Sequence, residues 1–109
     1  MGDRQVWQAL QGCFGALVDI DMLSARLQRA LPLDCPAIEA LAQLRNVTHT
    51  VDELIQARNL ESAYNLLRDG DALAAFAGEL GVSAPQTLAL RQLLTTASER
   101  VATIALRPG

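Results

Sequence analysis

From Val6 to Ile104, leucine, isoleucine, valine and alanine recur every three or four residues with hardly an interruption. That spacing gathers apolar side chains on one face of a helix, and no stretch shows the period-two alternation of a half-buried strand. A chain patterned this way buries its apolar face by packing helix on helix. With 109 residues, half of them apolar, one core suffices for a single helical domain over 1–109, without a disulfide framework or a structural metal. The expected fold is all-α: an antiparallel helical bundle of four to five helices, dominated by two or three long ones.

Asp3 suits the N-cap of a first helix running to about residue 31 on Val6, Leu10, Cys13, Leu17, Ile20, Leu27 and Leu31, with Ser24 the one polar interruption. Gly12 and Gly15 each cost about 1 kcal/mol of helix propensity, so they mark either a close helix approach or a kink. Pro32 ends this helix. Asp34 or Cys35 caps the second, which carries Ile38, Leu41, Leu44, Val47, Val51, Leu54 and Ile55 to about residue 58 through a β-branched middle of weak propensity. Asn59 starts a short third helix on Leu60, Ala63, Tyr64 and Leu67, unless the second and third form one rod. Asp69-Gly70-Asp71 reads as a break, Gly70 ending one helix and Asp71 capping the next. A short helix over 72–80 then buries Leu73, Phe76 and Leu80 and stops at Gly81. Ser83 with Gln86 forms a capping-box pattern, and the last helix follows on Leu90, Leu94, Ala97, Val101 and Ile104 before a frayed Arg107-Pro108-Gly109.

The charge pattern narrows the function classes. All nine basic residues are arginine and the net charge is −3, so no long-range field draws the molecule to nucleic acid or an anionic membrane. Arginine in place of lysine, with abundant Ala, Leu and Gly, matches the codon usage of a GC-rich bacterial genome; the other reading is interface chemistry, since guanidinium makes planar bidentate contacts. No uninterrupted apolar run approaches the ~18 residues of a membrane span. The opening Met1-Gly2-Asp3-Arg4 lacks a signal-peptide layout, and Val6 breaks the myristoylation pattern. Cytoplasmic residence is the expectation, and Asn46-Val47-Thr48 is a glycosylation sequon without consequence there.

The catalytic inventory is thin. His49, the sole histidine, has no partner at the helical spacing that metal ligands show, so neither a metal nor another cofactor is expected. Asp19 and Asp21 flank Ile20 and point to different helix faces. Asp69-Gly70-Asp71 lacks the later ligands of a calcium loop, so capping accounts for it. The chain is expected not to be an enzyme; a site assembled around His49, Tyr64 or a carboxylate at a dimer interface is the minor alternative. A continuous first helix carries Cys13 about 27 Å from Leu31 at 1.5 Å per residue, too far from Cys35 for an intrachain disulfide. Two reduced thiols or an interchain bridge are the remaining states.

Residues 73–94, with small Ala77, turn residue Gly81 and Val82 before the Ser83–Gln86 helix start, resemble a helix-turn-helix. The resemblance implies a DNA-binding transcriptional regulator in which Gln86, Thr87 and Arg91 contact nucleic acid. Only Arg91 among them is basic, and phosphate recognition draws on several cations. The stronger feature is N-terminal: Val6, Trp7, Leu10, Phe14, Leu17 and Val18 cover more than one stripe of their helix and hold two of the four aromatics. A helix apolar over so much of its circumference is central in a bundle or docked on a partner. The expected function is that of a small non-enzymatic regulator or adaptor acting through helix-mediated binding to another protein, with those six residues as the partner and homodimer interface.

Overall fold

A computed structural model describes residues 3–106, and of Asp3 only the backbone. Four helices, α1 (Asp3–Ala30), α2 (Ala37–Gln56), α3 (Leu60–Leu80) and α4 (Ala84–Ala105), account for nearly all of them, and no strand occurs among the described residues. The frayed end expected at Arg107-Pro108-Gly109 lies outside them. Loops of a few residues turn each helix back beside its predecessor, and α4 closes the ring against α1. Neighbouring backbones pack in ring order, α1 beside α2, α2 beside α3, α3 beside α4 and α4 beside α1. The result is an elongated antiparallel four-helix bundle of 50 × 22 × 19 Å.

The expected apolar stripes line the core. Leu10, Cys13, Leu17, Ile20 and Leu27 of α1 face Leu41, Leu44, Val51 and Ile55 of α2, with Leu67 of α3 and Leu90, Leu94 and Val101 of α4 completing the interior. Val6 and Leu31 sit half-buried at the two ends of the α1 stripe. The β-branched middle of α2 stays helical; Thr48 is buried there and its hydroxyl donates to the Arg45 carbonyl at 2.7 Å. The second helix starts after Pro36, not at a side-chain cap from Asp34 or Cys35; Asp34 remains exposed.

The segmentation of the third quarter differs from the sequence expectation. Helix α3 runs unbroken through Asp69-Gly70-Asp71, and Gly70 lies buried inside it. A Cβ at Gly70 would meet Leu44 Cδ1 and Leu94 Cδ2, each at 3.3 Å. The glycine therefore lets leucines from both neighbouring helices reach α3, and this packing outweighs its low helix propensity. Asp71 pairs with Arg91 instead of capping a helix. Phe76, expected inside, is 51 % exposed, because in the continuous helix the inward stripe belongs to Ala63, Leu67, Gly70, Ala74 and Ala77.

The helices α2 and α3 are not one rod. Arg58 adopts φ 63°, its N–H donates to the Ile55 carbonyl, and the Asn59 N–H reaches back to Leu54 O at 2.8 Å. That is a Schellman termination with arginine in the left-handed position glycine usually fills. At the other end of α3, Gly81 takes φ 141°, where a Cβ would also strike Cys35 Sγ at 2.9 Å. Ser83 occupies the N-cap of α4 as expected, but its hydroxyl donates to Gln86 Oε1 and makes no bond to the helix backbone.

Candidate protein-docking surface

The six expected interface residues separate into two sets. Leu10 and Leu17 are 2 % and 4 % exposed and belong to the core, so they reach the surface only as the floor of a groove. Their positions fall on the inward stripe with Cys13 and Ile20, and burial against α2 claims them. Val6 and Phe14 are half-buried, whereas Trp7 and Val18 are 55 % and 53 % exposed. Trp7, Phe14 and Val18 recur at intervals of seven and four, so they line up along one edge of α1.

That edge is one wall of a groove between α1 and α2. Two adjoining depressions, about 380 and 210 Å³, share Phe14 and Asp52. Trp7, Phe14 and Val18 form the α1 wall; Leu10, Leu17, Thr48 and Ile55 line its base; His49, Asp52 and Gln56 form the α2 wall, with Arg58 at the end beside Trp7. The far end is fixed by a polar chain. Arg45 Nε donates to Asp21 Oδ1 at 2.9 Å and its Nη1 to Gln28 Oε1 at 3.1 Å, while Gln28 Nε2 donates to the Ile38 carbonyl. Asp52 accepts from Gln56 Nε2 at 2.7 Å. The groove is thus apolar on the α1 side and polar on the α2 side, with its walls held in place by α1–α2 packing.

The charge distribution along α1 adds a feature that the periodicity alone left unmarked. No charged side chain occurs between Arg4 and Asp19, a stretch of about four helical turns. Its solvent side carries Trp7, Gln8, Gln11, Gly15 and Val18, all exposed. Gly15 faces open space with nothing within 4 Å of a Cβ, and Gly12 meets only the Arg100 side chain, whose Nη1 donates to the Gly12 carbonyl at 2.7 Å. Helix α1 runs through both glycines without a break, and neither is used for a close helix approach inside the bundle. Met22, 56 % exposed, extends the apolar edge one turn further. The α2 wall had no sequence signal, because which face of α2 meets α1 depends on the closure of the whole ring.

The nucleic-acid residues are placed differently from the helix-turn-helix expectation. Helices α3 and α4 run side by side along their length: Gly78 lies against Thr87, Gly70 against Leu94 and Asp71 against Arg91. A helix-turn-helix instead crosses its two helices steeply so that the second protrudes. Thr87 turns into the α3–α4 seam with its hydroxyl buried, and Arg91 donates to both carboxylate oxygens of Asp71 at 3.1 Å. That hydrogen bonding also raises the guanidinium pKa above its already high ordinary value. Gln86 is exposed, with its Oε1 accepting from the Ser83 hydroxyl at 2.9 Å.

A larger open depression of about 600 Å³ lies over the α3–α4 seam, lined by Tyr64, Arg68, Asp71, Arg91, Ser98 and Glu99 among others. Within the chain, His49 and Tyr64 therefore border different grooves. Asp19 is exposed and Asp21 is engaged by Arg45, so the two carboxylates do not converge. No cluster of three or more metal-ligating side chains occurs among the described residues. Both cysteines are free thiols. Cys13 is fully buried, and desolvation pushes its thiol pKa up against the smaller opposing effect of Arg100. Its sulfur has no exposed surface through which to reach a second chain. No described helix is long and apolar enough to cross a membrane. Comparison with protein-family models, with curated proteins and with solved structures returned no match to this chain.

Proposed function

We propose that this chain is a small non-enzymatic regulatory or adaptor protein that works by docking a helix of another protein along the α1–α2 groove. Sequestering a transcription regulator and chaperoning a partner during assembly are both roles of this kind. One observation carries the reading: Trp7 and Val18 stand half-exposed beside Phe14 on a helix face without charge, above a groove already shaped by the bundle. Isolated surface apolar residues are ordinary, but an aromatic anchor in a rimmed groove is the arrangement that binding hot spots use. The occupant would lay an apolar stripe on Trp7, Phe14 and Val18 and meet His49, Asp52 and Gln56 at its polar edge, the helix-in-groove mode of recognition. Two unpaired thiols suit a reducing compartment, and the cytoplasm of a bacterial cell is the proposed setting.

The test compares the immobilised wild-type chain with Trp7→Glu and Val18→Glu variants in extract of the native host. Both variants are expected to keep their helical circular-dichroism spectrum and to lose the same captured protein, while Arg91→Glu on the opposite side keeps it. Unfolding of both variants would return these side chains to the core. Undiminished capture by both would remove the groove from function.

A further inference from the structure

We infer that the exposed face of α1 pairs with a second copy of this chain, antiparallel about a two-fold axis near Gln11; this rests on the docking reading of the same face. The layout of α1 carries the inference. At 100° per residue Arg4, Gln11 and Val18 fall within about 40° of one line along the outer surface. Trp7 and Phe14 lie on one flank of that line, and Gln8, Gly15 and Asp19 on the other. Arg4 and Asp19, the charges that bound the uncharged stretch, are almost equidistant from Gln11 and opposite in sign.

A two-fold axis through an antiparallel pair keeps each flank on its own side and reverses the order of residues along it. On the aromatic flank, Trp7 then faces Phe14 and Val18 of the second copy, and the contact repeats at the other end. On the polar flank, Gln8 lies over Gly15 of the second copy, where the absent side chain leaves room, and Arg4 comes opposite Asp19. Gln11 meets its own copy at the centre, where paired amides satisfy each other. A parallel pair would set Arg4 against Arg4 and Asp19 against Asp19, so the charges select the antiparallel arrangement. Both residues are exposed on α1 and neither makes an ion pair within the chain among the described residues.

The pairing stretch from Arg4 to Asp19 is about 22 Å long. A contact of that size falls at the small end of specific interfaces, so the dimer is expected to dissociate with a Kd on the order of 10 µM. Sedimentation velocity on the full chain from about 1 to 500 µM is the measurement, and a monomer–dimer equilibrium is expected. Arg4→Asp and Asp19→Arg should each raise Kd about tenfold, because each reversal sets like charges together twice, and the double variant should restore it. Gln11→Cys in a Cys35→Ser background should oxidise to an interchain disulfide, leaving buried Cys13 unreacted. A monomer at every concentration, or a double reversal no better than the singles, overturns the self-pairing. If Trp7→Glu nonetheless abolishes capture of another protein, the docking groove stands without the dimer; if Trp7→Glu changes neither association nor capture, both fall.

Discussion

The two long sides of this bundle solve opposite problems. On the α3–α4 side, small residues draw the helices together: Gly70 admits Leu94, and Gly78 admits Thr87 so closely that a Cβ there would fall 2.7 Å from the threonine oxygen. The rim of that seam is polar, with Arg91 held on Asp71 and exposed Leu88 set among Arg91, Gln92 and Thr95. On the α1–α2 side, larger side chains meet, and Trp7, Phe14 and Val18 stand along the groove between the helices. The first side packs its helices tightly beneath a broad depression rimmed by Arg68, Asp71, Arg91 and Glu99. The second sets two aromatic side chains, Trp7 and Phe14, along a narrower groove, the kind of surface on which binding anchors are found.

The largest expected effect tests that division within α1, between neighbours. Leu17→Ala should cost about 3 kcal/mol of stability, because it opens a cavity in a sealed core, whereas Val18→Ala one residue away should change stability by less than about 0.5 kcal/mol. Chemical denaturation of both variants gives the comparison directly. Equal losses would mean that Val18 is covered in solution by the chain itself, and the contrast between the two sides would disappear.

A smaller effect probes the closed side. Gly78→Ala gains helix propensity yet must displace Thr87, whose β-branched side chain has few alternative rotamers. The net outcome is expected to be a loss of about 2 kcal/mol, the usual scale of overpacking. Thr87→Ala should rescue it in the double variant, and the thermodynamic cycle should show coupling of more than about 1 kcal/mol. Additive effects would mean that the α3–α4 seam has slack, and that its tightness is not what separates the two sides.

How much of this was legible beforehand follows from what periodicity encodes. The stripe Leu10–Cys13–Leu17–Ile20 and the stripe Leu90–Leu94–Ala97–Val101 appear in the sequence and in the core alike, because a 3.6-residue repeat reports the inward face of a helix directly. Gly70 misled because Asp-Gly-Asp carries the local chemistry of a helix end, while its real cause is non-local: two leucines on other helices occupy the missing side chain's space. The exposure of Phe76 has the same origin, since a break at Gly70 would reset the helical phase and the continuous helix does not. Arg58 went unmarked as a terminator because arginine rarely takes positive φ, and the Leu54 and Ile55 carbonyls that hold it there lie behind it on the preceding helix. Of the candidate surface, Trp7 and Val18 were within reach of the pattern. The burial of Leu10 and Leu17 is not legible there, because a wide apolar arc does not reveal where its buried part ends.

The smallest effect concerns a defect that each side carries. Two side-chain hydroxyls are sealed without a hydrogen-bond partner among the described residues, Ser24 on α1 and Thr87 on α4. Both the methyl and the oxygen of Thr87 fill space against Gly78. Ser24 has no such packing role for its oxygen: it interrupts an otherwise apolar stripe and is wholly buried. Burying an unpaired hydroxyl costs about 1–3 kcal/mol, and alanine keeps nearly the same shape with better helix propensity. Ser24→Ala should therefore stabilise the fold by about 1 kcal/mol, read as a higher denaturation midpoint at unchanged slope. A loss of stability would mean that Ser24 bonds a carbonyl one turn back in solution, a contact that tends to bend a helix. Such a bend would sit at the Arg45–Asp21 end of the groove, and the α1–α2 side would then owe its open shape to a curved helix as well as to its larger side chains.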